Sequence, residues 1–232
     1  MRYSKVLSGR FIDRPNRFIA HVDVQGVTET VHVKNTGRCK ELLVPGCTVY
    51  LSEADNPARK TKYDLIAVEK QRDGKPPLRI NMDSQAANDI AEEWLRSGKL
   101  FSKEAILRRE VTYGDSRFDF YVEDGEERAF LEVKGVTLEE NGIVRFPDAP
   151  TERGIKHLHS LAACLKDGYR AYVLFVVQMA EAREMRPNDV THKAFGDALR
   201  QANTAGVKVI SIGCHVSPDE VIPGDFVPVV LD

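Results

Sequence analysis

The sequence has no hydrophobic run long enough to cross a membrane. No apolar stretch approaches the roughly 18 residues of a membrane helix, although apolar residues make up 42% of the 232-residue chain. The N-terminus, MRYSKVLSGRFIDRP, has neither the apolar core nor the small-residue cleavage site of a secretory signal. These absences predict a cytoplasmic protein without a membrane partner.

Cysteine is scarce and follows no metal-binding pattern. The chain has four cysteines, Cys39, Cys47, Cys164 and Cys214, and no CxxC pair. Zinc sites and disulfide-rich domains need closer or more regular spacing. These cysteines are therefore predicted to be reduced, small apolar side chains. Internal repeats and low-complexity tracts are also absent from the sequence.

The net charge of −2 conceals an asymmetry between two parts of the chain. Residues 1–80 contain 15 Lys and Arg against 9 Asp and Glu, whereas residues 81–232 contain 18 against 26. A basic excess in the first third is compatible with a polyanionic partner such as nucleic acid. Many solvated surfaces carry a similar excess, so charge alone does not decide.

The first 80 residues read as short β-strands. Five segments rich in Val, Ile, Tyr and Phe recur about every ten residues between turn signals, a pattern typical of a small barrel or sandwich. A short helical turn is predicted in GRCKELL, and DGKPP is read as a linker or turn. We therefore predict two domains, 1–80 and 81–232. The predicted strands are SKVLSGRFI, RFIAHVDVQG, ETVHVKN, CTVYLSEA and KYDLIAVEKQR.

The second region alternates helical and strand patterns. Its predicted order is α, β, β, β, α, β, α, β, which indicates an α/β domain. The first helix starts at Ser84, with Asp83 or Ser84 as cap and Gly98 as stop. The second, TERGIKHLHSLAACLKDG, is capped by Thr151, and DVTHKAFGDALRQANTAG is the third. RAYVLFVVQM and VKVISIG read as strands covered on both faces.

A hairpin in the middle of the chain, RFDFYVEDGEERAFLEVKG, carries unusual polar residues. Side chains two positions apart share a strand face, so Glu132 and Lys134 point the same way. By the same rule, Phe118 and Phe120 are predicted to share the face opposite Asp119. If the strands pair, Asp119 and Glu132 meet across the ladder.

Two adjacent carboxylates repel each other unless a cation or a proton lies between them. Oxygen ligands of this kind suit Mg²⁺ or Mn²⁺, so Asp119, Glu132 and the backbone carbonyl of Val133 are candidate metal ligands. Lys134 is then placed to assist an attacking water or to stabilise charge on a phosphate. The alternative is an ordinary solvated hairpin face, because Asp, Glu and Lys are common on such strands.

The helix that follows supplies a candidate phosphate-binding rim. Arg153, Lys156 and His157 lie at i, i+3 and i+4 and are predicted to form one polar face. Glu110 and Asp148 are further carboxylates that could reach the site. A solvated helix face would show the same pattern.

Six sequence blocks carry a resemblance to a known family. They are SRFDF, LEVKGVTL, FPDAPTERGIKHLHSL, AYVLFVVQM, NTGRCKELLVPG and NPARKTKYDLIAVEK. Taken together, these blocks resemble the sugar fermentation stimulation protein A (SfsA) family. The resemblance implies an N-terminal OB-like β-barrel followed by a PD-(D/E)xK restriction-endonuclease-like α/β domain with a mixed central sheet, α+β overall. It also implies DNA binding without strong sequence preference and a regulatory role in sugar (maltose) metabolism.

Carried over to this chain, the family motif falls on Asp119, Glu132 and Lys134 as catalytic residues. Phe118 stands where the motif is named for a proline, which is not a ligand. The family's Pro-Asn before the first helix is reduced to Asn88.

Two functions follow as hypotheses: a DNA-binding, metal-dependent nuclease, or a catalytically silent module that binds nucleic acid or a nucleotide. In the barrel, Tyr50 or Tyr63 could stack on bases, and Lys34 could join the cations; solvated loops and core tyrosines are the alternative. A homodimer is the candidate assembly. The candidate nucleic-acid-binding residues are Arg38, Lys40, Arg59, Lys60, Lys62, Arg153, Lys156 and His157.

Overall fold

The N-terminal part of the chain forms a closed five-stranded barrel in this computed structural model, which describes residues 1–35, 37–54, 56 and 58–232. Thr36 and Pro57, in two of the sequence blocks above, lie outside these residues. The strands lie in the order β3-β2-β1-β4-β5, and a parallel pairing of β3 with β5 closes the barrel. The strands are β1 (Val6–Asp13), β2 (Ile19–Val24), β3 (Val27–Val33), β4 (Thr48–Glu53) and β5 (Tyr63–Arg72).

All five predicted strands are confirmed, and they form a barrel, not a sandwich. Alternate residues of the strands, such as Ala20 and Val22 in β2, are fully buried, as a half-buried strand requires. The predicted helical turn in GRCKELL is a single hydrogen-bonded turn, in which Leu42 and Leu43 donate to the carbonyl of Cys39.

The segment predicted as a linker or turn is instead a turn followed by a sixth strand. Asp73 and Gly74 form the turn, and β6 (Lys75–Asn81) pairs antiparallel with β5. Its prolines obscured the strand in the sequence, because proline cannot donate to a ladder. They are tolerated here because β6 is the last strand of its sheet.

The C-terminal part is built on a six-stranded mixed sheet in the order β15-β14-β12-β9-β8-β7. Strands β9, β12 and β14 are parallel, and the outer pairings are antiparallel. A small second sheet has the order β10-β11-β13. The elements are α1 (Ala86–Leu95), β7 (Ile106–Tyr113), β8 (Ser116–Asp124), β9 (Glu127–Val136), β10 (Leu138–Glu140), β11 (Ile143–Phe146), α2 (Glu152–Cys164), β12 (Arg170–Val177), β13 (Glu184–Pro187), α3 (Asp189–Ala205), β14 (Lys208–Val216) and β15 (Val221–Phe226).

Helices cover both faces of this sheet. The apolar stripe of α1, which includes Ile90 and Trp94, packs on one face, whereas α2 and α3 pack on the other. Thr151 caps α2 as predicted, accepting a hydrogen bond from the amide of Gly154. The predicted cap of α1 is wrong: its N-cap residue is Gln85, without a side-chain cap bond.

The barrel and the C-terminal domain share one hydrophobic cluster. Buried residues of the barrel, β6, β12 and α3 belong to the same contiguous core. At the junction, Ile80 forms a bridge with Met179, and buried Gln178 donates to the side chain of Asn81 and the carbonyl of Asp83. Within the described residues, no helix is long and apolar enough to span a membrane.

Candidate metal centre and nucleic-acid interface

Asp119 lies where the β8–β9 ladder stops. Backbone pairing runs from Asp124 and Glu127 as far as Phe120 and Leu131, and the next position along β8 is Asp119. Its Oδ2 accepts the amide of Val133 at 2.7 Å, and its Oδ1 accepts the Nδ2 of Asn88 at 2.9 Å. The Asp119 carboxylate therefore takes the place of a backbone carbonyl as the acceptor for the Val133 amide of β9, and Asn88 of helix α1 binds its other oxygen.

The prediction that Phe118 and Phe120 share a face is wrong. Phe118 packs on the α2 side, with its ring centroid 6.0 Å from that of His157, whereas Phe120 belongs to the core under α1. The ladder is irregular at this point, because Glu110, between two paired residues of β7, has a left-handed φ of 57°. Strict alternation along β8 is therefore lost at Asp119.

Glu132 is 4% exposed and makes two contacts through one oxygen. Its Oε1 contacts the Nζ of Lys134 and the Nδ1 of His157, which reaches in from α2. The other oxygen, Oε2, is buried and has no hydrogen-bond partner among the described residues. Arg153 Nε donates to the Nε2 of His157 at 3.4 Å. The side chain of Glu132 is thus fixed at one oxygen and free at the other.

The two carboxylates differ in their protonation equilibria. Burial and then the charge of Glu132 raise the pKa of Asp119, although the Val133 amide and Asn88 oppose this. Burial also raises the pKa of Glu132, but His157 and Lys134 outweigh it and bring that pKa below its usual value. The pair therefore carries a repulsion that a cation would relieve.

These residues fit a hard divalent cation. Glu132 Oε2 and Asp119 supply oxygens, and the Val133 N–H points to Asp119. In an extended strand, a residue's carbonyl faces the same edge as its N–H, so the Val133 carbonyl is the third candidate ligand. No group of three or more His, Cys, Asp or Glu side chains in the described part of the chain could hold a metal. Water and phosphate would have to complete the shell, as Mg²⁺ commonly allows.

Two family models match this chain. The model described as "Sugar fermentation stimulation protein RE domain" matches residues 85–220, and "SfsA N-terminal OB domain" matches residues 12–75. The chain belongs to the SfsA family. The predicted fold, an OB barrel followed by an α/β domain with a mixed sheet, is confirmed.

Individual SfsA relatives match over the full length. "Sugar fermentation stimulation protein homolog" of Clostridium beijerinckii is 52% identical over 231 residues, covering 100% of both chains. The protein of the same name from Desulfitobacterium hafniense (strain DSM 10664 / DCB-2) is also 52% identical, covering 100% of this chain and 99% of its own. The solved "structure of Pyrococcus Furiosus SfsA in complex with Ca2+" has a TM-score of 0.84 and 26% identity, covering 99% of this chain and 98% of that one.

The predicted cationic rim on α2 is only partly exposed in this SfsA fold. Arg153 and Lys156 are exposed, and the Nζ of Lys156 donates to the carbonyl of Asp115 at 2.8 Å. His157 is 5% exposed, so it is not a surface cation but the buried partner of Glu132. The sequence pattern was misleading for His157, because this residue belongs to the buried stripe of α2. The stripe consists of Gly154, His157, Leu158, Leu161 and Cys164.

Two further carboxylates considered from the sequence have other partners. Glu110 lies 3.4 Å from the guanidinium of Arg117 in an exposed ion pair. Asp148 lies against Gly37, where a Cβ would meet its Oδ2 at 1.8 Å. Neither contacts the Asp119–Glu132 pair.

The barrel cations differ in their exposure and in their partners. Arg38 and Lys40 are exposed and line a cavity of about 430 Å³. Arg59 is bound to Asp64 by two hydrogen bonds of 2.8 and 3.0 Å. Lys60 and Lys62 are exposed. The first pair is therefore better placed for a ligand than Arg59.

Lys34, Tyr50 and Tyr63, the other candidate ligand-binding residues of the barrel, already have partners within the protein. Lys34 pairs with Asp83 at 2.9 Å. Tyr50 donates its hydroxyl to Glu69 at 2.8 Å, and Tyr63 is buried. Tyr63 is thus a core residue, as the alternative interpretation held.

Sequence reasoning missed what Asn88 does in the site. Its amide bonds Asp119 across 31 residues of sequence. The available signal was a polar residue beside the buried stripe of α1, next to Ala87.

Proposed function

We propose that this SfsA protein is a cytoplasmic, DNA-binding nuclease that uses Mg²⁺ or Mn²⁺. Asp119, Glu132 and the Val133 carbonyl would hold the cation. The observation that carries the proposal is the buried Oε2 of Glu132, which has no hydrogen-bond partner among the described residues, beside Asp119, whose pKa is raised by burial and then by the charge of Glu132. The Pyrococcus furiosus SfsA structure is a complex with Ca²⁺, which supports a divalent-cation site in this fold.

A bound cation would supply a Lewis acid for the phosphate and lower the pKa of a coordinated water. The residues of this chain prepare the site for that chemistry. Asn88 and the Val133 amide fix the orientation of Asp119, and His157 holds Glu132 with its free oxygen turned away. Such fixed partners keep metal ligands in place without reorganisation.

Lys134 is the candidate for direct assistance. Its ammonium contacts Glu132 Oε1, within the same site. A cation at this position can stabilise negative charge that develops on a phosphate under attack, and it can orient the attacking water. Its removal is therefore expected to reduce cleavage more than DNA binding.

DNA recognition in this proposal is largely independent of sequence. Exposed Arg38, Lys40, Arg153 and Lys156 suit phosphate contacts, which position a protein on DNA without reading bases. A role in sugar metabolism accords with the name "Sugar fermentation stimulation protein homolog" that the relatives carry; that this role is regulatory and includes maltose stays a prediction. A homodimer stays a prediction.

A binding-only module is the second candidate function. It is favoured by the small donor set, because no third His, Cys, Asp or Glu side chain joins a metal group among the described residues. Lys134 and His157 also balance the charge of Glu132 without any metal. In this alternative, the nuclease fold grips nucleic acid or a nucleotide and does not cut.

The test is cleavage of supercoiled and single-stranded DNA in Mg²⁺, Mn²⁺ or EDTA. Wild type should nick with a divalent cation, and Asp119→Ala and Lys134→Ala should not. Glu126→Ala, in the exposed turn of the same hairpin, is the matched control and should cut normally. If wild type never nicks either substrate while it and the variants bind DNA equally, the nuclease is refuted and the binding module stands.

A further inference from the structure

A cationic pocket lies where the barrel meets the loop before α2. Four basic residues line it, Arg14, Arg17, Arg38 and Lys40, and its volume is about 430 Å³. Pro150, two residues before the start of α2, contributes from the C-terminal domain. We call this cavity the junction pocket. Both domains therefore contribute to its wall.

The junction pocket has an excess of positive charge, which Asp148, beside Arg14 and Arg38, balances only in part. Elsewhere basic residues of the barrel pair closely with carboxylates, as Arg59 does with Asp64 at 2.8 Å. In the described part of the chain, none of the four pocket cations lies within 4.0 Å of a carboxylate oxygen. Such a cluster is unfavourable by itself, so it indicates a site for an anion.

Arg14 builds the wall of the junction pocket. Its guanidinium donates to four backbone carbonyls, which fixes two loops of the barrel around it, while its Nε is buried and has no partner within the part of the chain that the structure describes. Asp148 is a nearby acid, packed on Gly37; burial raises its pKa, and the charges of Arg14 and Arg38 oppose that shift. The accepting carbonyls belong to Arg17, Asn35, Gly37 and Arg38.

The size and lining of the pocket favour one nucleotide over a duplex. A volume of about 430 Å³ is that of a small-molecule site, and apolar Leu43 and Pro150 offer surface for a base or sugar. A paired nucleotide cannot enter such a cavity without leaving its helix. Phe18 is not among the lining residues, but it follows Arg17 directly in the sequence and is 54% exposed, which makes it a candidate stacking face beside the pocket.

The junction pocket lies close to the candidate metal centre along α2. Pro150 lies seven positions before His157, which contacts Glu132, and five of these steps are within α2. The helical part spans about 7.5 Å at about 1.5 Å per residue, and the two steps before it add up to about 7 Å. The sum, up to about 14 Å, corresponds to about four nucleotides of one strand at about 3.4 Å each. Exposed Arg153 lies between them on the same helix. A strand that follows α2 would be long enough to contact both sites.

We propose that the junction pocket binds one nucleotide of a single-stranded nucleic acid, a few positions from the phosphate at Asp119 and Glu132. This inference rests on the proposed nuclease function and names its substrate class. It predicts that a single strand binds more tightly than a duplex of the same sequence.

The test is fluorescence anisotropy in EDTA with a labelled 12-nucleotide single-stranded DNA and its duplex. The pocket variant combines Arg17→Ala, Arg38→Ala and Lys40→Ala, and Arg14 is kept because it supports the loops. The control variant combines Lys75→Ala, Lys166→Ala and Lys208→Ala, which removes equal charge from exposed positions outside the pocket. Melting temperatures verify that both variants fold.

We expect the pocket variant to lose about tenfold or more in single-strand affinity, and the control variant to lose less than about threefold. Because each phosphate contact contributes about 0.7 to the salt slope on single strands, the slope should fall by about 2. Phe18→Ala should weaken binding about tenfold, whereas exposed Val27→Ala should not.

Three results would overturn the inference. They are equal affinities of the pocket and control variants, wild-type binding to duplex that is at least as tight as to single strand, and no binding to either DNA. Binding in EDTA needs no cleavage, so the two proposals fail separately. If the wild-type protein never cleaves DNA but the pocket variant still loses affinity for single-stranded DNA, only the nuclease proposal is refuted.

Discussion

Substitution of Asn88 by Ala should weaken divalent-metal binding without unfolding the protein. Asn88 donates to Asp119 Oδ1 at 2.9 Å, and this bond lowers the pKa of Asp119. A hydrogen bond to a charged group contributes about 1.5–3 kcal/mol. Loss of a partner that orients a metal ligand typically costs about 10–100-fold in metal affinity, equivalent to about 1.4–2.8 kcal/mol. The two estimates agree, so a loss within this range is expected.

Folding stability should fall by a similar or somewhat smaller amount, about 0.8–2.3 kcal/mol. Alanine is a better helix former than asparagine by up to about 0.7 kcal/mol, which offsets part of the lost hydrogen bond in α1. The assay is calorimetric titration of Mn²⁺ at pH 7.5, together with the melting temperature of the metal-free protein. Asn203→Ala, at an exposed position of α3, is the matched control. Unchanged Mn²⁺ affinity in Asn88→Ala would refute Asp119 as a ligand that α1 positions.

Three further predictions concern the same region. The raised pKa of Asp119 means that folding favours its protonated form, so its contribution to folding stability is fully present below the usual pKa of 3.8 and is lost as the pH rises. Asp119→Asn, which cannot ionise, should therefore raise the metal-free melting temperature at pH 7.5 by a few degrees. It should also abolish the further increase caused by Mn²⁺. Mn²⁺ affinity should fall as the pH drops from 7.5 to 4.5, since the raised pKa of Asp119 brings its protonation, which removes a charged ligand, to a higher pH than usual; a flat calorimetric profile would contradict this. Gly135→Ala should destabilise the protein to urea by about 1–3 kcal/mol, because its Cβ would lie 2.6 Å from Gln178 Oε1, whereas Gly213→Ala, with 3.5 Å to its nearest atom, should be tolerated.

Sequence patterns predicted the elements in which the pattern repeats over many residues. The barrel strands alternate over six or more residues, and α1 repeats its apolar stripe over two turns. β10, β11 and β13 have three or four residues each, too few for any period to appear. Their pairing depends on neighbours distant in sequence, which a local pattern does not contain.

The site was predictable to the extent that chemistry is encoded in spacing. Glu132 and Lys134 lie two apart on one strand, and their contact follows from the strand period. The roles of His157 and Asn88 were not predictable, because each depends on how a helix rotates onto the sheet. Nothing in α2 alone distinguishes a histidine that faces solvent from one that meets a buried carboxylate.

The hydrophobic cluster common to the barrel and the C-terminal domain has a consequence for motion. A hinge opening between the two domains would expose this apolar surface at a cost of about 2.5 kcal/mol for each 100 Å². Gln178 would also lose its hydrogen bonds to Asn81 and Asp83. The two domains are therefore not expected to close around a ligand. A ligand at the junction binds a preformed surface, so the ligand is the partner that must change its conformation.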